Sequence, residues 1–412
     1  MTEALAAGDR VACTVGSTEL GGTYITDRDG MRVVKLDSGY NIGVHPGRVR
    51  FAGRPRAAPG PGIEVEQDRS LPELAIISTG GTIASRIDYR TGAVTSQFTA
   101  ADILRAIPDL ARIARYRTRV IATILSENMT PSLWQELARA VQDEIRAGAS
   151  GVIVTHGTDT MSFTAAALAF MISTPVPVVL VGSQRSADRP SSDNAMNGVC
   201  AASAAVSDLG EVVVVMHDTP SDDRCAIHRA TRVRKLHTSR RDAFASVGLP
   251  PLGTVAYPDG GVELGPGAVR RGARPLELDD RLEPNCGLVQ FYPGMDPGIL
   301  DAFSGYAGVV VAGTGLGHVS TPCIDRLGAL TGDGTTVVMT SQCLDGRICD
   351  RVYDTGRDLL AAGVLEGGTM LPEVGLVKLM CVLGRTRDPA EVARLMQTDL
   401  AGEMPGRTPH GL

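Results

Sequence analysis

The sequence predicts an α/β protein, in which a large and a small domain of alternating strands and helices follow a small β module. Three observations support this prediction. Between residues 74 and 257, apolar β-branched segments alternate with helical patterns, as is typical of a parallel sheet covered by helices. A shorter alternation of the same kind follows residue 285. Before residue 54, short apolar segments are instead separated by turns that contain glycine and aspartate.

The N-terminal module, residues 1–55, is predicted to be a small β-barrel. Hairpin turns are indicated by Gly21-Gly22, by residues 27–30 and by residues 37–39. The strands between them are predicted at residues 11–15, 23–26, 31–36 and 41–44. A linker rich in proline and glycine is predicted at residues 56–71, so we expect the module to be a separate unit.

The central stretch of the large domain, residues 151–160, has the sequence Gly-Val-Ile-Val-Thr-His-Gly-Thr-Asp-Thr. An apolar strand is followed by a tight turn and then by an alanine-rich helical pattern. The turn places His156, Thr158 and Asp159 beyond the carboxyl end of a strand, where open α/β sheets have their ligand sites. The alternative is that Thr158, Asp159 or Thr160 only caps the next helix.

A second strand end repeats this arrangement. Residues 74–82, Leu-Ala-Ile-Ile-Ser-Thr-Gly-Gly-Thr, form an apolar strand that ends in a glycine pair flanked by hydroxyl groups. Gly80 and Gly81 permit a tight turn close to a ligand, and their N–H groups are candidate donors to a developing oxyanion. The two strand ends therefore each contribute a threonine, Thr82 and Thr158.

The other elements of the large domain, residues 72–257, follow from the same periodicities. Thr130 and Pro131 are typical of an N-cap and a first helical position, and apolar residues then recur every four positions. Trp134, the only tryptophan, is assigned to packing. Further strands are predicted at residues 119–125, 176–181 and 211–216, and a helix at residues 191–206.

The C-terminal half begins with a second predicted linker, residues 258–285, and continues as a small α/β domain, residues 286–405. Strands are predicted at residues 287–292, 308–312 and 336–340, and helices at residues 297–303, 322–330, 372–383 and 389–397. We expect the chain end from Gly402 to be loose, with a tail at residues 406–412. The stretch 309–318 resembles a dinucleotide-binding fingerprint, but His318 replaces its third glycine, and no P-loop occurs.

The composition excludes several classes of protein. No apolar run is long enough to span a bilayer and the first residues lack the core of a signal peptide, so we expect a cytoplasmic protein. The eight cysteines form no Cys-x-x-Cys pair, which favours free thiols over a zinc site or disulfides. The net charge of −6 argues against general attraction to nucleic acid, although residues 228–241 are densely basic.

One lysine lies inside this basic segment. Only three of the 40 lysine and arginine residues are lysines, namely Lys35, Lys235 and Lys378. Lysine, unlike arginine, can lose its proton when it is buried near other cations. Lys235 is therefore a candidate proton acceptor; the alternatives are a chance placement and a solvated basic loop.

Four motifs in order resemble the L-asparaginase/glutaminase family. They are residues 78–84 (Ser-Thr-Gly-Gly-Thr-Ile-Ala), 125–129 (Leu-Ser-Glu-Asn-Met), 155–160 (Thr-His-Gly-Thr-Asp-Thr) and 233–235 (Val-Arg-Lys). The resemblance implies an asparaginase-like large α/β domain with a smaller C-terminal one, over residues 72–405. It also implies Thr82 as the nucleophile, with Gly81 beside it, and a lid in which Tyr89 supports that nucleophile.

The same resemblance implies two further groups. Ser126 would contact the α-carboxylate of the substrate. Thr158, Asp159 and Lys235 would form a second catalytic group that polarises a hydroxyl or a water. The family often places an asparagine from a neighbouring subunit where this chain has His318, so the contact from the small domain is expected to differ here.

A more specific resemblance is to the D subunits of archaeal Glu-tRNA(Gln) amidotransferases. It depends on the N-terminal module together with residues 175–177, 182–193 and 232–244. It implies hydrolysis of glutamine, or of asparagine, to release ammonia.

The E subunit of such an enzyme, as the partner, would bind Glu-tRNA(Gln) and use ATP and Mg. This chain, without a cofactor of its own, would form a homodimer within a heterotetramer. The alternatives are a free asparaginase/glutaminase with an extra domain and a tRNA-binding module without chemistry.

The chemistry expected from this resemblance begins with attack by Thr82 on the side-chain amide carbon. Backbone amides near Gly80, Gly81 or Thr158 would hold the oxyanion, and ammonia would leave from an acyl-enzyme. Asp159 would orient Lys235, which would draw a proton through Thr158.

Overall fold

The computed structural model describes residues 5–37, 41–54, 67–80, 86–87, 94–95, 99–186, 189, 191–349 and 351–406. Within these ranges the α/β class predicted from the sequence is confirmed. The N-terminal module has the strands β1 (Arg10–Val15), β2 (Thr18–Arg28), β3 (Met31–Leu36), β4 (Asn41–Val44) and β5 (Val49–Gly53).

The N-terminal strands form one antiparallel sheet in the order β4-β3-β2-β1-β5. The four predicted strands are confirmed, but the turn predicted at Gly21-Gly22 is wrong, because both glycines lie inside β2 and the turn comes before Thr18. Strand β5 was not predicted, because its sequence Val-Arg-Phe-Ala-Gly precedes the proline-rich segment directly. Pairing of the end strands β4 and β5 is not seen in the described ranges. The structure therefore shows a five-stranded sheet here, and its closure into a barrel stays a prediction.

The described part of the large domain contains fourteen strands and four α-helices. The strands are β6 (Glu73–Gly80), β7 (Arg86–Ile87), β8 (Val94–Thr95), β9 (Arg115–Ile124), β10 (Gly151–Thr155), β11 (Ile172–Ser173), β12 (Val178–Val181), β13 (Val212–His217), β14 (Arg224–Arg229), β15 (Val233–Lys235), β16 (Phe244–Ser246), β17 (Gly253–Ala256), β18 (Val262–Leu264) and β19 (Glu277–Leu278). The helices are α1 (Ala100–Ala106), α2 (Pro131–Arg146), α3 (Met161–Met171) and α4 (Asn194–Val206).

The main sheet of this domain, as far as the structure describes it, has eight strands in the order β18-β17-β14-β13-β12-β10-β6-β9. Strands β9, β6, β10, β12 and β13 are parallel, so their carboxyl ends meet at one edge. Every residue of β10 and β12 is buried, because helices cover both faces of the sheet. Trp134 of α2 lies in the core, as predicted.

The small domain, over its described residues, is a parallel sheet of four strands flanked by four α-helices. The strands, in spatial order, are β20 (Cys286–Gln290), β21 (Gly308–Gly313), β22 (Thr336–Ser341) and β23 (Leu365–Glu366). The helices are α5 (Thr321–Gly332), α6 (Asp354–Ala361), α7 (Pro372–Arg385) and α8 (Pro389–Met396). Helix α7 joins the two domains, since Val374 and Val377 lie in the same buried cluster as Leu168 of α3.

Several elements differ from the predictions. The helix predicted at residues 297–303 is a 3-10 helix, and α6 and β23 were not predicted. The segment 258–285, predicted as a linker, contributes β18 to the main sheet, and its Arg271 side chain donates to the backbone carbonyl of Ser150 at 2.6 Å. The predicted linker 56–71 and tail 406–412 lie largely outside the described residues.

The chain end is held more firmly than we predict from its sequence. Glu403, which falls in the segment expected to be loose, is fully buried and contacts Lys378 at 2.7 Å. A burial-based contact of this kind has no local sequence signal, because its partner lies on a distant helix.

Among the described residues, no helix is both long and apolar enough to cross a membrane.

Candidate active site

The turn that follows β10 holds three predicted site residues together. Lys235 Nζ donates to Thr158 Oγ1 at 2.9 Å and to Asp159 Oδ1 at 2.8 Å. The side chain of Lys235 is 13% exposed and that of Asp159 is 69% exposed. The amine is therefore shielded, whereas its carboxylate partner faces solvent.

The alternative that these side chains only cap helix α3 is wrong. The N-cap of α3 is Thr160, and its side chain makes no capping hydrogen bond to the described residues of the helix. The Thr160 hydroxyl instead donates to the backbone carbonyl of Ser126 at 2.6 Å. The turn is thus fastened to the segment that follows β9, and the side chains of Thr158 and Asp159 are directed to Lys235.

Ser126, predicted to bind substrate, lies against this turn. It belongs to a 3-10 helix, Ser126–Asn128, and is 5% exposed. A Cβ added to Gly157 would lie 2.7 Å from Ser126 Cβ and 3.0 Å from its Oγ. Glycine at position 157 therefore lets the serine approach the turn closely, which the quoted motifs alone do not reveal.

His156 does not face the cleft, although the turn was expected to present it there. It is 1% exposed, its Nε2 is 2.8 Å from Thr164 Oγ1, and Trp134 Nε1 donates to the same oxygen at 3.0 Å. The Gly157 carbonyl can only accept, so Nδ1–H of His156 donates to it at 2.7 Å, and Nε2 of the neutral ring accepts from the Thr164 hydroxyl. Burial lowers the pKa of His156, which keeps this ring neutral. His156 thus shapes the turn, a role that sequence reasoning missed.

The loop after β12 borders the site as well. A Cβ at Gly182 would lie 2.8 Å from Thr158 Cγ2 and 2.7 Å from the His156 carbonyl. Asp193, fully buried, accepts from Ser183 Oγ at 2.8 Å and from the Arg185 N–H at 2.9 Å. Sequence reasoning did not single out Asp193, since nothing local marks an aspartate as a buried loop anchor.

Lys235 is the last residue of β15, which forms a short hairpin with β16, and it pairs there with Phe244. Behind the hairpin, His228 Nδ1 is 2.9 Å from Ser246 Oγ of β16. Burial lowers the pKa of His228 to about 4. A neutral imidazole therefore supports the hairpin at physiological pH.

The basic segment 228–241 is largely engaged within the chain. Arg234 contacts Glu373 at 3.5 Å, Arg229 contacts Glu211 at 3.1 Å, and Arg241 contacts Asp222. Successive side chains of a strand point to opposite faces, so Arg234 is directed away from Lys235. These ion pairs argue against a free basic surface for nucleic acid in this segment.

The other predicted site residues are placed as follows. Gly80 ends the described part of β6, next to β10, with φ +115°, and a Cβ there would lie 2.4 Å from the Ile124 carbonyl oxygen. Gly81, Thr82 and Tyr89 lie outside the described residues. His318, in the small domain, is 3.3 Å from Thr355 Oγ1 through its Nδ1 and packs edge-to-face on Tyr353.

This arrangement can move a proton. A lysine amine bonded to both a hydroxyl and a carboxylate can accept a proton from that hydroxyl while the carboxylate stabilises the ammonium that forms.

All eight cysteines are free thiols. Within the described ranges, no group of three or more His, Cys, Asp or Glu side chains is arranged to hold a metal ion.

Comparison with known proteins defines the class to which this chain belongs. Residues 73–265 match the family model described as asparaginase, N-terminal, and residues 285–396 match that of the glutaminase/asparaginase C-terminal domain. The chain therefore belongs to the glutaminase/asparaginase family. The solved structure of the thermostable L-asparaginase from Thermococcus kodakarensis is similar, with a TM-score of 0.72 and 33% identity, over 81% of this chain and 99% of that one. An L-asparaginase I from Vibrio cholerae is similar at a TM-score of 0.70 and 26% identity, over 81% of this chain and 99% of that one.

Within this family the chain belongs with proteins named as the D subunit of glutamyl-tRNA(Gln) amidotransferase. It is 54% identical to that protein of Methanosarcina barkeri, over 96% of this chain and 97% of the relative. It is 56% identical to the protein of Halobacterium salinarum with the same name, over the same shares of the two chains. Unlike the solved asparaginases, these relatives match nearly the whole chain.

Proposed function

We propose that this chain is the glutaminase subunit of a glutamyl-tRNA(Gln) amidotransferase and releases ammonia from glutamine, or from asparagine. The observation that supports this most directly is the cluster of Lys235, Thr158 and Asp159. It lies in a chain that is more than half identical to D subunits over 96% of its length. The resulting ammonia would convert Glu-tRNA(Gln) to Gln-tRNA(Gln) in a partner protein.

The proposed reaction starts at Thr82. Its hydroxyl attacks the side-chain amide carbon of glutamine, backbone N–H groups near Gly80 and Gly81 hold the oxyanion, and ammonia leaves. Water then hydrolyses the acyl-enzyme to glutamate. Lys235 takes up a proton through Thr158, and Asp159 orients the amine and stabilises its charged form.

Substrate binding is proposed for Ser126, Tyr89 and Gly81. Ser126 would contact the α-carboxylate of the substrate. Its position against Gly157, at the edge where the strands end, supports this role. Tyr89 would belong to a lid that supports Thr82.

The proposed partner is the E subunit of the amidotransferase, which would bind Glu-tRNA(Gln) and use ATP and Mg, while this chain needs no cofactor. The chain would form a homodimer within a heterotetramer in the cytoplasm. The N-terminal module is proposed to be a small β-barrel. Its core supports this, because Val11, Tyr24, Val34, Val44 and Val49, one residue from each of its five strands, form a single buried cluster.

The second candidate function is a free asparaginase/glutaminase with an added module. The similarity of the two domains to solved L-asparaginases over 81% of this chain favours it. A free enzyme of this kind would hydrolyse asparagine briskly without a partner.

The test is to measure ammonia release from glutamine and from asparagine by the purified chain, alone and then with the E subunit, ATP and Glu-tRNA(Gln). We expect strong stimulation of glutamine hydrolysis by the complex and no release by the variant Thr82→Ala. Brisk asparagine hydrolysis that ignores the partner would instead establish the free asparaginase. Near-normal turnover by Thr82→Ala would remove Thr82 from the nucleophile role.

A further inference from the structure

Arg232, three positions before the proposed catalytic lysine, is buried, and no carboxylate of the described residues accepts a hydrogen bond from it. It is 2% exposed, and all its hydrogen bonds to described residues go to backbone carbonyls. The guanidinium donates from Nε to Val247 at 2.8 Å and from Nη1 to Thr369 at 2.7 Å and Glu403 at 3.1 Å. Burial lowers the pKa of this guanidinium, and the negative charges of Asp345, Asp399 and Glu403 act in the opposite direction.

These acceptors belong to two different parts of the molecule. Val247 directly follows β16 of the hairpin that ends at Lys235, and its N–H donates to the Arg232 carbonyl at 2.7 Å. Thr369 and Glu403 belong to the C-terminal domain. Thr231 adds a parallel link, since its hydroxyl donates to the Ala401 carbonyl at 3.0 Å. The root of the hairpin is thus fastened to the C-terminal domain at two adjacent residues.

The loop that supplies the carbonyls of Ala401 and Glu403, residues 399–404, is itself fixed. The Glu403 carboxylate accepts from the N–H groups of Leu400 and Ala401, at 3.0 Å and 2.7 Å, and contacts Lys378 Nζ at 2.7 Å. The side chains of Lys378 and Glu403 are both fully buried. A loop held in this way can serve as a rigid support.

The guanidinium of Arg232 lies directly against Gly248, just after the hairpin. Gly248 has φ +70°, and a Cβ there would lie 2.1 Å from Arg232 Nη2. Both the backbone conformation and the close approach therefore require glycine at this position. A closely packed arginine of this kind leaves the hairpin little freedom to shift.

We propose that Arg232 is a positioning residue for Lys235, which fastens the β15–β16 hairpin to the C-terminal domain so that the lysine amine meets Thr158 and Asp159. The inference rests on the proposed function, since it assigns Lys235 to catalysis. Strand β15 has only three residues, so its own pairing with β16 gives limited precision. Displacement of a catalytic group by about 1 Å can lower turnover by about 100-fold.

The variant Arg232→Met tests this, because it keeps an unbranched side chain but removes every donor. We expect kcat for glutamine to fall between about 10- and 100-fold, while KM changes less than threefold, since Ser126 and the strand ends are untouched. Arg232→Lys, which has one amine in place of the guanidinium, should recover part of the kcat. Thr231→Val, a smaller change that removes only the bond to Ala401, should lower kcat about threefold and keep the fold intact.

Arg271→Met is the matched control. Arg271 also donates its guanidinium to backbone carbonyls, those of Ser150, Ala205 and Ser207, and burial likewise lowers its pKa. Its contacts lie at the other end of the large domain, where β10 begins. We expect this variant to lose about as much thermal stability as Arg232→Met, with kcat unchanged. An equal loss of kcat in the two arginine variants would overturn the inference.

A second readout does not depend on turnover. With three lysines in the chain, the rate at which acetic anhydride labels Lys235 can be followed by mass spectrometry. Labelling of Lys235 should be faster in Arg232→Met and in Thr231→Val than in the wild type and in Arg271→Met. If the wild type releases no ammonia, the proposed function fails while labelling still decides the positioning role. Unchanged labelling and unchanged kcat in folded Arg232→Met would refute the positioning role alone.

Discussion

Two lysine–carboxylate pairs in this molecule have similar geometry and opposite surroundings. Lys235 contacts Asp159 at 2.8 Å, and Lys378 contacts Glu403 at 2.7 Å. Both members of the second pair are fully buried, whereas the side chain of Asp159 is 69% exposed. The other acceptors also differ, because Lys378 donates to the backbone carbonyls of Met396 and Thr398, and Lys235 donates to a hydroxyl.

The difference separates a structural pair from a chemical one. The partners of Lys378 are backbone carbonyls and a buried carboxylate, so its ammonium cannot move without leaving these groups unsatisfied. Lys235 bonds to a threonine hydroxyl that can exchange a proton, and its carboxylate can be solvated when the charge changes. Distance alone does not distinguish the two pairs; burial and the nature of the third partner do.

The substitution Lys235→Met should have the largest effect, which is a loss of catalysis. Loss of the amine removes proton transfer through Thr158, so kcat/KM for glutamine should fall about 10³-fold. Thermal stability should change little, since the released Asp159 faces water. Ammonia release and thermal melting measure the two effects. Lys235→Arg keeps the charge but not a titratable amine, and full activity in this variant would contradict the proton transfer.

Lys378→Met should reverse this pattern. It leaves the Glu403 carboxylate buried without a counter-charge, which should cost about 3–5 kcal/mol of unfolding free energy in denaturant titrations. Turnover measured far below the melting temperature should fall less than tenfold, because the backbone carbonyl of Glu403 still accepts from Arg232. A stability loss no larger than that of Lys235→Met would show that the two pairs are equivalent after all.

His228, behind the Lys235 hairpin, should make stability depend on pH. Its pKa is lowered by burial to about 4 in the folded protein, against an ordinary value of about 6.5. Between these values the unfolded chain binds the extra proton, so the contribution is complete above about pH 6.5 and is lost as the pH falls to about 4, by about 3 kcal/mol. His228→Asn should flatten this slope in denaturant titrations repeated across this pH range.

The smallest expected effect is the change in stability by Asp159→Asn. An exposed ion pair contributes at most about 1 kcal/mol, so denaturant titration should detect little change. Glu403→Gln, the corresponding change in the buried pair, should cost about 3 kcal/mol. Equal costs for the two substitutions would mean that exposure does not decide the strength of these pairs.

The sequence predicted the elements around the site well where periodicity and local signals were strong. Strand β10, the turn with Thr158 and Asp159, and the N-cap and proline that begin α2 are examples, because each depends on residues close in the chain. Strand β5 was missed because it directly precedes the proline-rich segment, and the buried end at Glu403 was missed because its partner Lys378 lies on a distant helix. The segment 258–285 was misjudged because its composition resembles a linker, although part of it completes the main sheet.

By itself, the sequence determined the α/β class, the two threonine-bearing strand ends and the family resemblance, because these follow from local patterns and motifs. The family resemblance implied that Lys235 acts with Thr158 and Asp159, but only the tertiary structure showed the 2.9 Å hydrogen bond from Lys235 to Thr158 and the exposure of Asp159 beside it. It also decided that His156 is buried under the turn and that Arg232 fastens the hairpin to the C-terminal domain. The physical reason is that burial and long-range hydrogen bonds depend on which segments pack together, and the local sequence of one segment does not specify its distant partners.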